Sequence, residues 1–131
     1  MSNSNSIPPH FLHTAAHEWL EQHADGTCSI GITHAGQDML GDIVFCGDAK
    51  LGARLQAGDT CAVVESVKAA SDVHMPISGE VIAFNTAIEA DPTVLNTAAY
   101  ATWIVKIKPD SAPVDATLAG LMSAQAYTQQ L

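Results

Sequence analysis

Positive charge is scarce in this chain. Five Lys and Arg residues stand against fourteen Asp and Glu among 131 residues, a formal net charge of -9. Nucleic-acid binders draw much of their affinity from Lys and Arg on phosphates, so the balance argues against that role and against an anionic membrane surface. Long apolar runs are missing too. Stretches such as Cys61-Ala62-Val63-Val64 fall far short of the roughly 20 residues that span a bilayer. The opening Met1-Ser2-Asn3-Ser4-Asn5-Ser6 lacks the basic start and apolar segment of a secretion signal, which points to a cytoplasmic location. Cysteine is sparse: Cys28, Cys46 and Cys61 are odd in number and widely spaced, with no C-x-x-C pair, which argues against a disulfide framework or a structural zinc site. Each lies in an apolar run and reads as a small buried hydrophobe.

What is present is core-forming material. Hydrophobic residues make up 47% of the chain and charged ones 15%, enough for one compact domain. Residues 1–11 are polar and Pro-interrupted and read as a flexible tail. Residues 12–131 read as a single domain with a helical segment over about 113–129. Short runs of strand composition, closed by Gly, Asp or Asn, occupy 27–32, 42–46, 60–65, 71–75, 80–85 and 103–108. The last run puts Trp103, Val105 and Ile107 on one side and Ile104, Lys106 and Lys108 on the other, the pattern of a half-buried strand. Many short strands with Gly-rich turns imply a small sandwich or barrel. Thr33 followed by a run to Gly41 predicts one or two helical turns. In the tail, Val114, Leu118, Leu121 and Met122 fall at i, i+4, i+7 and i+8, one apolar face for packing onto the barrel.

Lys68 is the only basic residue between Arg54 and Lys106, and it sits where one apolar strand gives way to another. Its amine is protonated near pH 7, so a bare lysine there is a poor nucleophile, and nothing nearby in sequence would depress it. An exposed lysine on a rigid hairpin is better suited as a handle, since acylation converts it into a long neutral arm. His13 and His17 have the spacing of two metal ligands on a helix. No Glu follows His13, so the pair reads as an incidental or solvated cluster, and no metal site is assigned.

Glu65-Ser66-Val67-Lys68-Ala69-Ala70-Ser71-Asp72-Val73, followed by Met75-Pro76-Ile77-Ser78-Gly79-Glu80-Val81, closely resembles the lipoylation hairpin of the H-protein family of the glycine cleavage system. His17-Glu18-Trp19-Leu20, Gly31-Ile32-Thr33-His34-Ala35, Leu40-Gly41-Asp42-Ile43-Val44-Phe45, Pro92-Thr93-Val94-Leu95-Asn96 and Trp103-Ile104-Val105-Lys106-Ile107-Lys108 continue the resemblance in order, over about residues 12–127. It implies a mainly β fold, a barrel-sandwich hybrid of two antiparallel sheets with short helices. It also implies a non-catalytic, monomeric carrier with lipoic acid joined to Lys68 through an amide. The implied partners are a pyridoxal-phosphate glycine decarboxylase, a tetrahydrofolate-dependent aminomethyltransferase, dihydrolipoamide dehydrogenase and lipoylating enzymes. A carrier serving another complex or a lipoate-relay pathway is the alternative. Biotin carriers flank their lysine with Met, whereas here the flanks are Val67 and Ala69.

Glu18 and Asp72 resemble the family's acidic positions near the groove that shelters the loaded arm, where a carboxylate would stabilise an ammonium. Ala16 stands where some relatives carry a hydroxyl. The stretches Cys46-Gly47-Asp48-Ala49-Lys50 and Thr97-Ala98-Ala99-Tyr100-Ala101-Thr102 depart from the family pattern, and such loops commonly form partner surfaces.

Overall fold

The computed structural model describes residues 6–131, with residues 117 and 118 described for their backbone alone. Residues 1–5 of the expected tail lie outside the described residues. The strands are β1 (Leu12–His13), β2 (Glu18–Gln22), β3 (Cys28–Ile32), β4 (Ile43–Gly47), β5 (Arg54–Leu55), β6 (Thr60–Ser66), β7 (Ala70–His74), β8 (Gly79–Phe84) and β9 (Val105–Pro109). Between them stand short helices: α1 (His34–Leu40), α2 (Ala87–Ala90), α3 (Val94–Thr97) and a 3-10 turn at Ala99–Ala101, with α4 (Ala116–Ala119) and α5 (Ala124–Gln129) closing the chain.

The strands form two antiparallel sheets, one ordered β1-β2-β3-β9-β8-β5 and one ordered β4-β6-β7, which is the mainly β sandwich expected. In β6 the side chains alternate over residues 64–66, with Val64 and Ser66 buried and Glu65 facing water. Consecutive Cys61 and Ala62 are both buried where the pairing with β7 shifts register. Cys61, Ala62 and Val64 supply the apolar side of the strand. These residues join Leu20, Ile30, Val73, Ile104 and Ile107 in one core between the sheets. All three cysteines are buried there, as their apolar surroundings predict. A second cluster caps one end: Phe11, inside the stretch read as a tail, is buried and stacks on Trp19 with ring centroids 4.6 Å apart. Trp19 Nε1 donates to the Ala99 carbonyl at 3.1 Å, tying β2 to the 3-10 turn. Gly31 makes that packing feasible, because a Cβ there would lie 2.5 Å from the Trp19 ring.

Several sequence expectations are corrected. The C-terminal segment is two short helices rather than one apolar face, because Gly120 takes φ +71 and Met122 leaves the helical path to bridge His13. The Leu118 side chain lies outside the described residues. Strand β9 begins at Val105, so Trp103 is only half-buried while Ile104, on the side read as outward, is fully buried. β1 and β2 escape the strand pattern because the polar segment Thr14-Ala15-Ala16-His17 interrupts it. Far from forming a solvated helical pair, His13 is a fully buried strand residue and His17 occupies a turn with φ +66.

Candidate functional site

Lys68 lies at the tip of the β6–β7 hairpin, whose strands pair through Glu65 with Ala70 and Val64 with Ser71. The tip is built by Ser66. Its Oγ accepts the N–H groups of Lys68 (3.3 Å) and Ala69 (3.1 Å) and donates to the Ala69 carbonyl, while its own N–H donates to Ala69 O at 2.7 Å. A serine that satisfies its own turn this way holds the tip in one conformation. Val67 N–H donates to Asp42 O at 3.0 Å, which pins the tip to the start of β4. Asn96 braces that neighbourhood: its amide donates to Gly41 O (2.9 Å) and Gln37 Oε1 (2.7 Å) and accepts from Ile43 N–H (2.9 Å). The Lys68 stem runs past Gly41, where a Cβ would lie 3.5 Å from Lys68 Cε. Lys68 itself is exposed, and among the described residues its ammonium makes no ion pair.

Beside the hairpin a cleft of about 180 Å³ opens between β7, α1 and the turn before β2. Its walls include the apolar side chains of Met39, Leu40, Val64 and Val73, and its polar lining includes His17, Glu18, Ser71 and Asp72. The two acids picked out from the sequence therefore meet in one cleft, although they differ in character. Asp72 is exposed and accepts from Thr60 Oγ1 at 3.2 Å. Glu18 is buried, its side chain only 4% exposed. A buried carboxylate must be fully hydrogen-bonded to be tolerated. Here Oε1 accepts from Thr14 Oγ1 at 3.0 Å, and Oε2 accepts from His74 N–H at 2.8 Å and lies 2.9 Å from His74 Nδ1. Ala16 lines the cleft with no polar atom of its own side chain to offer.

Ser66, Asn96 and His74 went unremarked in the sequence as site residues. Ser66 could have been found from its place two residues before the lysine at a turn. Asn96 and His74 act on residues far away in the chain and left no local signal.

The cysteines stay out of the chemistry. Burial pushes the Cys28 thiol up to about 11 and those of Cys46 and Cys61 up to about 12. Thiols so far from the thiolate form exchange slowly with a disulfide near neutral pH.

The residues at the tip and in the cleft fit a lipoyl group: an unpaired lysine offers its amine, apolar walls suit an aliphatic chain and dithiolane, and buried and exposed carboxylates suit a cationic cargo. A two-sheet sandwich presenting one lysine on a rigid hairpin tip is a carrier domain of the lipoyl type. The sequence pattern of the family described as Glycine cleavage H-protein matches residues 11–131, and the chain belongs to that family. A glycine cleavage system H protein of Paraburkholderia phytofirmans is 48% identical over 126 residues, covering 96% of this chain and 98% of the relative. That of Thiobacillus denitrificans is 50% identical over 123 residues, covering 93% and 92%. The crystal structure of a glycine cleavage system H protein from Mycobacterium marinum superposes with a TM-score of 0.81 at 34% identity, covering 95% of this chain and 98% of that one. Members of this family are lipoyl carriers of glycine cleavage. Among the described residues no helix is long and apolar enough to cross a membrane.

Proposed function

We propose that Lys68 bears the lipoyl group in amide linkage and that the cleft lined by Glu18 and Asp72 shelters the loaded arm between visits to partner enzymes. The observation that carries this reading is the juxtaposition of a hairpin tip held by hydrogen bonds, a lysine with no ion pair among the described residues and an apolar cleft whose lining includes a buried carboxylate. Held on Lys68, a lipoyl group would supply the disulfide–dithiol chemistry for carrying an aminomethyl group between a pyridoxal-phosphate glycine decarboxylase and a tetrahydrofolate-dependent aminomethyltransferase, with dihydrolipoamide dehydrogenase as the enzyme that would restore the disulfide. The chain's own residues supply placement. Ser66 and Asp42 fix the point from which the arm swings, so that the tether concentrates its end near each partner site. Met39, Val64 and Val73 keep water from the arm's apolar portion, and Glu18 and Asp72 place negative charge where an ammonium would rest. No side chain is assigned a bond-making step, and the protein works in the cytoplasm as a monomeric carrier subunit.

Lys68→Arg tests the assignment, because it keeps charge and exposure while removing the amine that a lipoyl amide requires. The variant should fold normally, show no lipoyl mass increment after treatment with lipoylating enzymes, and fail to support glycine cleavage with purified partners. Lipoylation of the variant, or retained carrier activity, overturns the assignment.

A further inference from the structure

Tyr127 is fully buried although it belongs to the short last helix, α5. Its ring stacks on His13 with centroids 4.6 Å apart and planes 7° from parallel. The helix is seated by the exchange of two backbone hydrogen bonds between His13 and Met122, each 2.8 Å. A phenyl ring would fill the same space, so packing alone does not call for the hydroxyl. That hydroxyl lies 2.6 Å from His17 Nδ1 and 2.8 Å from Thr33 Oγ1. The two partners belong to different parts of the cleft. His17 lines it from the turn before β2, and Thr33 caps α1, whose Gly36, Met39 and Leu40 line it as well.

The proton positions follow from accounting for each donor. Thr33 Oγ1 already accepts the Gly36 N–H at 3.0 Å, and Thr33 is fully buried. Among the described residues its own hydroxyl proton has no acceptor other than Tyr127. Thr33 therefore donates to Tyr127, Tyr127 donates to His17 Nδ1, and His17 carries its ring proton on Nε2. Burial holds the Tyr127 hydroxyl above its ordinary range, which keeps it a donor. The turn it secures is an unusual one: His17 has φ +66, a conformation that a residue with a side chain adopts at a cost, and it is further held by Thr33 N–H on His17 O at 3.0 Å. Gly36 lets α1 approach this turn, since a Cβ there would come within 3.1 Å of His17 Cβ.

We infer that the Tyr127 hydroxyl is a positioning group for the cleft, fixing His17 in one tautomer and holding it against the start of α1, so that the C-terminal helix sets the width of the shelter. This rests on the reading of the cleft as the arm's shelter. The residue touches neither cargo nor arm and acts through His17 and Thr33.

The test is Tyr127→Phe, which keeps the ring stack and removes only the hydroxyl. In the unmodified protein, the imidazole nitrogen resonances of His17 should shift from a single Nε2–H tautomer towards a mixture, while circular dichroism stays unchanged. In the aminomethyl-loaded carrier, non-enzymatic ammonia release should accelerate about two- to tenfold, the range expected for one lost intramolecular hydrogen bond. Ala16→Trp, which places an indole at the exposed edge of the cleft, provides the comparison. Release that accelerates in Ala16→Trp and not in Tyr127→Phe overturns the inference and leaves the shelter intact. Release unchanged in Ala16→Trp removes the shelter reading, and this inference falls with it. An unshifted His17 signal in Tyr127→Phe also overturns it. Should Tyr127→Phe unfold, His17→Gln, which loses the same Nδ1 acceptor from the exposed side, must show the accelerated release.

Discussion

Acid should loosen this protein through His13. The imidazole is fully buried, stacked on Tyr127 and edge-on to Tyr100, and among the described residues neither ring nitrogen has a partner in hydrogen-bond geometry. Burial therefore lowers its affinity for a proton from the ordinary 6.5 to about 4, and the Met122 backbone offsets this only in part. In the unfolded chain the same imidazole titrates near its ordinary value. Between the two values the unfolded state binds more protons, so stability is full above the ordinary value and falls as the pH drops through the window. From about pH 7.5 to about pH 4.5 the loss attributable to His13 is about 2.5 kcal/mol. With a urea dependence of about 1–3 kcal/mol per molar, the unfolding midpoint should drop by about 0.8–2.5 M on that account. Other ionisable groups also contribute to how stability depends on pH, so the measurement is a difference. His13→Phe keeps an aromatic stack on Tyr127 and removes the titration. Urea unfolding of both proteins at the two pH values should show the natural chain losing about 2.5 kcal/mol more than the variant. Because the buried imidazole nitrogens gain no hydrogen bond, His13→Phe should cost little at neutral pH. Equal losses in the two proteins would refute the argument and show that His13 is already charged, or solvated, in the fold.

Other outcomes are expected from the same structure. Glu18→Gln removes a buried charge, and a charge-assisted hydrogen bond of this kind is worth about 1.5–3 kcal/mol, so ammonia release from the aminomethyl-loaded carrier should rise about tenfold or more. An unchanged decay rate would make Glu18 a structural partner of Thr14 and His74 alone. Gly31→Ala forces the buried Trp19 ring off its hydrogen bond to Ala99, and thermal or urea unfolding should report a loss of about 2–4 kcal/mol. The net charge of -9 should steer association with basic partner surfaces, so association rates with the decarboxylase, followed by stopped flow, should fall as salt rises. A rate independent of salt would remove surface charge from the encounter.

Several features of this protein were legible in its sequence because their cause is local. β6 announces itself by its apolar run and β7 by the strand-like stretch 71–75, so Lys68, lying between them, could be placed on a hairpin before any contact was known. Thr33 and Gly41 mark the ends of α1 by the chemistry of caps, and Thr33 Oγ1 does accept the Gly36 N–H. The burial of the three cysteines follows in the same way from their apolar neighbours.

Other features belong to the fold alone. The resemblance picks out Glu18, but nothing in the sequence announces its burial, which arises because β7 brings the His74 N–H and ring to it across the sandwich. The spacing of His13 and His17 suggested a helical pair, whereas one became a core residue once Tyr127 stacked on it and the other a turn residue held by the same tyrosine's hydroxyl. The C-terminal segment has helical periodicity throughout, but the bridge between His13 and Met122 and the left-handed turn at Gly120 divide it. Local propensity and periodicity act through near neighbours in the chain and can be read from it. The cleft is made by groups from the turn before β2, from α1 and from β7, and their meeting depends on sheet order and register, which no single segment of the sequence encodes.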